Sequence, residues 1–196
     1  FKVTVKGLKG GHSGEDINKE LGNAIKILLR FWSKLRQKMS LSLISIDGGN
    51  LRNAIPREAE VVFAVSSKEK ESVRIELNHF IALMEEEILD VAPEFSMHLS
   101  SEKYIEETVD KATAEKLFLA LYACPHGVIA MSRDIKGLVE TSTNLASVKM
   151  KDKQMIEVTT SQRSSIESKK EDVSLMVNYV FALAGAEVKH GDGYPG

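Results

Sequence analysis

A histidine among glycines is the first feature of this sequence that could do chemistry. The segment Gly10-Gly11-His12-Ser13-Gly14 follows residues 1–6, whose apolar-polar alternation predicts a β-strand. Glycines permit backbone angles and close approaches that residues with side chains resist. Such a segment can lift the His12 imidazole off a sheet edge and point it at a ligand. The alternative interpretation is a glycine-rich turn in which His12 is merely exposed.

Two further polar loops carry donors suited to an anion. Residues 48–56 include Arg52 and Asn53, and residues 160–165 include Arg163. The guanidinium of Arg163 is a planar fork that matches a carboxylate. A plain surface charge is an equal alternative for Arg163 and the favoured interpretation for Arg52.

Other kinds of reactive site have no matching pattern in the sequence. None of the five histidines has a second histidine or a cysteine at ligand spacing, and no His-Glu-x-x-His motif occurs. The sequence also lacks a Gly-x-Ser-x-Gly elbow and a phosphate-binding glycine loop with its lysine. We therefore predict that the chain holds no metal ion, no nucleotide and no serine nucleophile.

The composition excludes several classes of partner. The chain has 196 residues, of which 43% are hydrophobic and 28% charged, and its net charge of −2 provides no general positive field for nucleic acid. No apolar run approaches the roughly 18 residues that span a bilayer. The single cysteine, Cys124, suits a reducing compartment and is interpreted as a buried, inert thiol. We predict a cytoplasmic protein without nucleic-acid or membrane partners.

The first half of the chain must position two of the polar loops. Three- and four-residue spacing of apolar side chains predicts a helix over residues 18–39, capped by Asp16 or Asn18, and a second over residues 68–91, capped by Ser67. Alternation predicts strands over residues 1–6, 40–46, 58–65 and 95–99. The resulting order is β-α-β-β-α-β, a split unit with two helices on one face of an antiparallel sheet.

The second half repeats most of this order. Its predicted helices cover residues 110–123 and a segment after Ser168, which should cap it. Its predicted strands cover residues 142–150, 155–161 and 187–189, and an irregular segment covers residues 128–140. We therefore predict an α+β fold in which the split unit is followed by a partial repeat, α-β-β-α-β.

The two ends of the sequence suggest a piece of a longer polypeptide. Phe1 begins in mid-strand, and residues 191–196 read Gly-Asp-Gly-Tyr-Pro-Gly, which is typical of a linker. We expect one excised domain over residues 1–196. Its sub-units should cover about residues 1–105 and 106–190.

Four separated motifs together resemble the bacterial aminoacyl-histidine dipeptidases, carnosinase-like members of the co-catalytic-zinc peptidase superfamily. The motifs are residues 7–14, 48–59, 137–145 and 162–165, and residues 193–196 resemble the point where that family's chain re-enters its catalytic domain. In the family, a zinc-binding catalytic domain is interrupted by a lid, also called the dimerisation domain. The resemblance implies that this chain is the lid of a zinc dipeptidase acting on Xaa-His dipeptides.

The resemblance also implies roles for three residues. His12 matches the lid histidine that donates to the oxyanion of the tetrahedral intermediate, which makes it the expected catalytic residue. Asn53 matches the asparagine of an Asn-x-Ile-Pro motif near the substrate. Arg163 is the candidate for binding the C-terminal carboxylate of the dipeptide. The family's zinc ligands have no matching positions here.

Partners and cofactors follow from the same resemblance. The full-length enzyme is expected to use two zinc ions held by the catalytic domain, so this chain has no cofactor of its own and is predicted inactive alone. Its partners would be that catalytic domain and a dipeptide substrate. A homodimer is left open, because relatives complete the site with either a second lid or an internal duplicate. The alternative function is a stand-alone α+β interaction or small-ligand-binding module without catalysis.

Overall fold

An antiparallel sheet of seven strands runs through the computed structural model, which describes residues 1–103, 107–152 and 155–191. Its strands are β1 (Lys2–Lys6), β3 (Ser42–Gly48), β5 (Ala59–Ala64), β6 (Ser96–Ser100), β7 (Gly127–Met131), β8 (Val139–Asp152) and β9 (Met155–Ser164). Neighbouring strands follow the order β6-β1-β5-β3-β8. The long strand β8 pairs with β9 along one edge, and along its other edge it pairs with both β3 and β7. A second sheet has two strands, β2 (Gly11–His12) and β4 (Ala54–Ile55).

Four helices pack on this sheet. They are α1 (Ala24–Arg36), α2 (Lys70–Ile88), α3 (Lys111–Ala123) and α4 (Glu167–Leu183). Neighbouring helices contact each other in the order α2-α1-α3-α4. The core between the layers joins fully buried strand residues such as Val61 and Phe63 to Leu28 and Phe31 of α1. In the part of the chain that the structure describes, no helix is long and apolar enough to cross a membrane.

The predicted α+β fold and its first β-α-β-β-α-β unit are confirmed, but both predicted helix caps are wrong. Asn23, rather than Asp16 or Asn18, caps α1, because its side chain accepts hydrogen bonds from the backbone of Ile25 (3.0 Å) and Lys26 (3.3 Å). The helix cannot begin earlier, since Glu20 and Gly22 have positive φ angles. Before α2, the cap is Ser66 rather than Ser67. Ser66 forms a reciprocal capping box with Glu69 and opens a short 3₁₀ turn.

The second half departs from its predicted order. Residues 128–140 are not wholly irregular, because they contain most of β7 and the start of β8. Residues 187–189 form no strand, and α4 follows Ile166 with no side-chain cap, so Ser168 is not its cap. The order is therefore α-β-β-β-α. The predicted boundary between residues 105 and 106 lies outside the described residues. So does the predicted linker after its first residue, Gly191.

Gly49, which follows β3, allows a close approach between the two halves of the sheet. Its φ is +68°, and a Cβ atom there would lie 1.9 Å from the backbone oxygen of Ala146 on β8. We expect Gly49→Ala to lower the free energy of unfolding by more than about 2 kcal/mol, because it adds a clash to left-handed strain. Urea denaturation checks this.

Gly185 offers a matched control for that substitution. Its φ is +79°, but a Cβ atom there would meet nothing within 4 Å. We expect Gly185→Ala to cost only the backbone strain, about 1 kcal/mol. Equal losses at Gly49 and Gly185 would contradict the close contact with Ala146.

Candidate functional site

His12 lies on a two-stranded ribbon formed by β2 and β4. In the antiparallel register of this ribbon, His12 is opposite Ala54 and Gly11 is opposite Ile55. The backbone N–H of Ser13 donates to the carbonyl of Asn53 at 2.8 Å. The structure thus joins the first two polar loops of the sequence into one unit, which we call the His12 ribbon (residues 11–13 and 53–55).

Asp16 fixes the turn that follows His12. Its carboxylate accepts hydrogen bonds from Lys19 Nζ (2.6 Å) and from the backbone N–H of His12 (2.8 Å). In return, the backbone N–H of Asp16 donates to the His12 carbonyl at 2.9 Å. The bond from Lys19, followed by the one from His12, lowers the pKa of Asp16 below its usual value. Asp16, which the sequence predicted as a helix cap, therefore holds the backbone of His12 instead.

Arg163, from the third polar loop, reaches the His12 ring. Its Nη2 lies 3.5 Å from His12 Nε2, although 151 residues separate the two in sequence. Gly14 leaves room for this contact, because a Cβ atom there would lie 3.2 Å from Arg163 Nη1 and 3.4 Å from His12 Cε1. Arg163 is exposed and the His12 ring is partly buried, so the pair sits at the protein surface. An anion beside the pair could accept hydrogen bonds from the guanidinium and from a protonated Nε2 of His12.

The structure connects Asn53 to this pair through its backbone. The Asn53 carbonyl accepts the hydrogen bond from Ser13 next to His12, and the Asn53 side chain is exposed on the same ribbon. Arg52, which precedes it, is exposed as well. All three residues predicted as site residues, His12, Asn53 and Arg163, therefore belong to one region of the surface.

A row of buried polar residues on β8 supports the region, and sequence reasoning did not assign it a role. The row consists of Thr141, Ser142, Thr143 and Asn144, each 1% or 2% exposed. Asn144 Nδ2 donates to the Ala54 carbonyl of the His12 ribbon at 2.9 Å. The signal in the sequence was a run of four polar residues, three of them within the strand predicted over residues 142–150, where a core-facing position should be apolar.

A second group of titratable residues surrounds the C-terminal end of α3. Lys26 Nζ donates to the backbone oxygens of Leu121 (2.8 Å), Tyr122 (3.0 Å) and Cys124 (2.5 Å), which the helix itself leaves without partners. Burial raises the pKa of the Cys124 thiol to about 11, so the cysteine is buried and inert as predicted. The group is a structural clamp between α1 and α3.

His126 gives this clamp a pH dependence. Its Nδ1 accepts a hydrogen bond from the backbone N–H of Leu145 at 3.3 Å, and burial, helped by the charge of Lys26, lowers its pKa from 6.5 to about 4. The unfolded chain therefore binds a proton between these pH values that the folded chain does not. Stability present above pH 6.5 is lost as the pH falls towards 4, by at most about 3 kcal/mol.

We expect His126→Gln to flatten this pH dependence, because glutamine can accept the Leu145 hydrogen bond but does not titrate. Urea denaturation at pH 7 and at pH 4 would measure the difference. The exposed histidine His98 on β6 provides the control, since His98→Gln should leave the pH dependence unchanged. An equally steep loss of stability in the His126 variant would contradict the assignment.

The described residues include no cluster of metal-ligating side chains. Within residues 1–103, 107–152 and 155–191, no group of three or more His, Cys, Asp or Glu side chains could hold a metal ion. These described residues offer no site for the two zinc ions, which the family resemblance places in the catalytic domain.

Comparisons with known proteins point to one class of enzyme. Residues 1–92 match the family model of the peptidase dimerisation domain. Over all 196 residues, the chain is 37% identical to the cytosol non-specific dipeptidase of Escherichia coli (strain K12), of which it spans 40%. Its fold matches the crystal structure of aminoacylhistidine dipeptidase from Vibrio alginolyticus with a TM-score of 0.91 and 35% identity, over 95% of this chain and 38% of that one.

Proposed function

This chain belongs to the peptidase dimerisation family, in the form found within dipeptidases, and we propose that it is the lid of a zinc-dependent dipeptidase acting on Xaa-His dipeptides. Support comes from its similarity to parts of two dipeptidases, over its full length in one comparison and over 95% of it in the other. Because the chain spans about two fifths of those relatives, the remaining polypeptide would supply the catalytic domain and its zinc ions. A second copy of the chain is a further partner that the family's description suggests.

In this proposal, His12 stabilises the negative charge that develops during hydrolysis. Attack of water on the scissile carbonyl turns its oxygen into an oxyanion, and an N–H group aimed at that atom lowers the barrier. The His12 ring would donate from Nε2, which must carry a proton when substrate is bound. In the structure this atom faces the guanidinium of Arg163, a group that only donates hydrogen bonds. One such donor contributes about 3 kcal/mol in comparable sites. The catalytic domain would activate the water.

Arg163 would bind the terminal carboxylate of the substrate. In a dipeptide, a single residue separates the scissile carbonyl from that carboxylate, and consecutive Cα atoms are about 3.8 Å apart. A guanidinium 3.5 Å from the imidazole matches this short spacing. This proximity of His12 and Arg163 is the observation that carries the proposal. Asn53 would provide a further polar contact from the edge of the same ribbon.

The substrate class can be tested on the full-length enzyme with three matched peptides. The set is an Xaa-His dipeptide, its C-terminal amide and the tripeptide extended by one residue. We expect rapid hydrolysis of the dipeptide alone, with activity lost on chelation and restored by Zn²⁺. Equal hydrolysis of all three peptides would contradict the carboxylate contact. No hydrolysis by the full-length protein would favour the alternative, a ligand-binding or interaction module.

A further inference from the structure

We infer that Asn144 is a positioning residue for His12, an inference that rests on the proposed function. Asn144 lies in β8, in the second half of the chain, and is 1% exposed. Its side-chain N–H group donates to the carbonyl of Ala54 at 2.9 Å, across 90 residues of sequence. Ala54 is the residue opposite His12 in the ribbon. Asn144 thereby ties the strand that pairs with His12 to the main sheet.

The register of β8 explains why the tie occurs at this position. The ladder between β8 and β9 shifts between Leu145 and Ser147, just after Asn144. Both backbone groups of Leu145 form hydrogen bonds with side chains. Its N–H donates to His126 Nδ1, and its carbonyl accepts from Asn23 Nδ2. A shift of this kind bends a strand and re-aims its side chains. In β8, the register shift lies next to Asn144, whose side-chain amide is directed at the His12 ribbon and not at the core.

Nearby buried polar atoms do not provide a second tie of this kind. Among the described residues, the buried atoms without a hydrogen-bond partner are His12 Nδ1, Ser13 Oγ, Asn144 Oδ1 and Ser161 Oγ. The first two belong to the ribbon, and Ser161 is the partner of Asn144 in the β8–β9 ladder. The two buried side-chain atoms of the ribbon, His12 Nδ1 and Ser13 Oγ, therefore form no hydrogen bond to the main sheet. The hydrogen bond from the His12 backbone to Asp16 and the 3.5 Å contact with Arg163 also hold His12. Asn144 is the side chain that ties the opposite strand of the ribbon to the main sheet.

The inference predicts a loss of rate rather than of binding. In the full-length enzyme, Asn144→Ala should lower kcat by about tenfold, because displacing a catalytic group by a fraction of an ångström weakens its contact with the transition state. KM should stay within about twofold of the original value. Asn144→Ser, too short to reach the Ala54 carbonyl but still polar, should behave in the same way.

A double-mutant cycle with His12→Ala separates positioning from other effects. If Asn144 acts through His12, its replacement should cause no further loss of kcat in the His12→Ala background. An unchanged kcat in the single variants, or the same tenfold loss in both backgrounds, would overturn the inference. If His12→Ala itself leaves kcat unchanged, the proposed function fails instead.

Asn23 provides the matched control. Its side chain is 3% exposed and donates to the backbone oxygen of Leu145, the residue after Asn144, also at 2.9 Å. Asn23→Ala removes an equivalent buried hydrogen bond and the cap of α1, so it should lower the melting temperature at least as much as Asn144→Ala. We expect its kcat to remain within twofold of the original. A tenfold loss in the Asn23 variant, or unfolding of both Asn144 variants, would assign Asn144 to stability alone and overturn the inference.

Discussion

Replacement of His12 by alanine in the full-length protein is expected, under the proposed dipeptidase function, to lower kcat by about a hundredfold or more, with little change in KM. The imidazole would contact the oxyanion, which exists only in the transition state and the tetrahedral intermediate. Loss of such a donor reduces the rate without weakening ground-state binding. His12→Gln, which keeps an N–H donor on a side chain of different shape, should recover part of the lost rate.

Steady-state kinetics on one dipeptide would measure both parameters. His79 on α2 is exposed and lies on an element outside the candidate site, so His79→Ala is a suitable control and should leave kcat unchanged. An unaltered kcat in the His12 variant would remove the oxyanion role. A rise in KM without a fall in kcat would assign His12 to substrate binding.

Replacement of Arg163 by alanine should weaken substrate binding more than it slows the chemical step. A charge-assisted hydrogen bond to a carboxylate contributes about 1.5–3 kcal/mol, so KM for a dipeptide should rise by roughly ten- to a hundredfold. The KM of Arg163→Lys should lie between those of the unmodified protein and Arg163→Ala, because an ammonium keeps the charge but lacks the planar fork.

The dipeptide amide reveals whether the lost contact is the one with the carboxylate. The unmodified enzyme should prefer the dipeptide to its amide, and Arg163→Ala should abolish most of that preference. Arg74, an exposed arginine of α2 paired with Glu71 at 3.4 Å, provides the control. If the Arg163 variant keeps the full preference for a free carboxylate, another residue binds that group.

The parts of the fold set by local periodicity could be predicted from the sequence. Alternation placed Val61 and Phe63 on the buried face of β5, and three- and four-residue spacing placed Ile25, Leu28 and Leu35 in the core. These patterns are reliable because burial on one face imposes a period on the sequence. The sequence of β7 shows no such period, because its exposed positions carry the apolar residues Ile129 and Met131. Its segment was therefore predicted to be irregular.

Apart from the family resemblance, the candidate site could be predicted only as a set of residue types. The glycines around His12 and the guanidinium of Arg163 indicated an anion site, but nothing local indicated that residues 151 positions apart would meet. Asn144 was missed for the same reason, because its role depends on a carbonyl 90 residues away. Likewise, Asp16 was predicted to cap the helix, because the hydrogen bond that it accepts from the His12 backbone depends on how the ribbon folds.

The most direct test of the account is a crystal structure of the full-length enzyme with a phosphinic dipeptide analogue, whose tetrahedral phosphinate imitates the intermediate. We predict that one phosphinate oxygen lies about 2.7–3.1 Å from His12 Nε2. The analogue's carboxylate should meanwhile be held by the guanidinium of Arg163. An analogue bound in the catalytic domain with His12 still directed at Arg163, and no contact between its ring and the phosphinate, would contradict the proposed role of this chain.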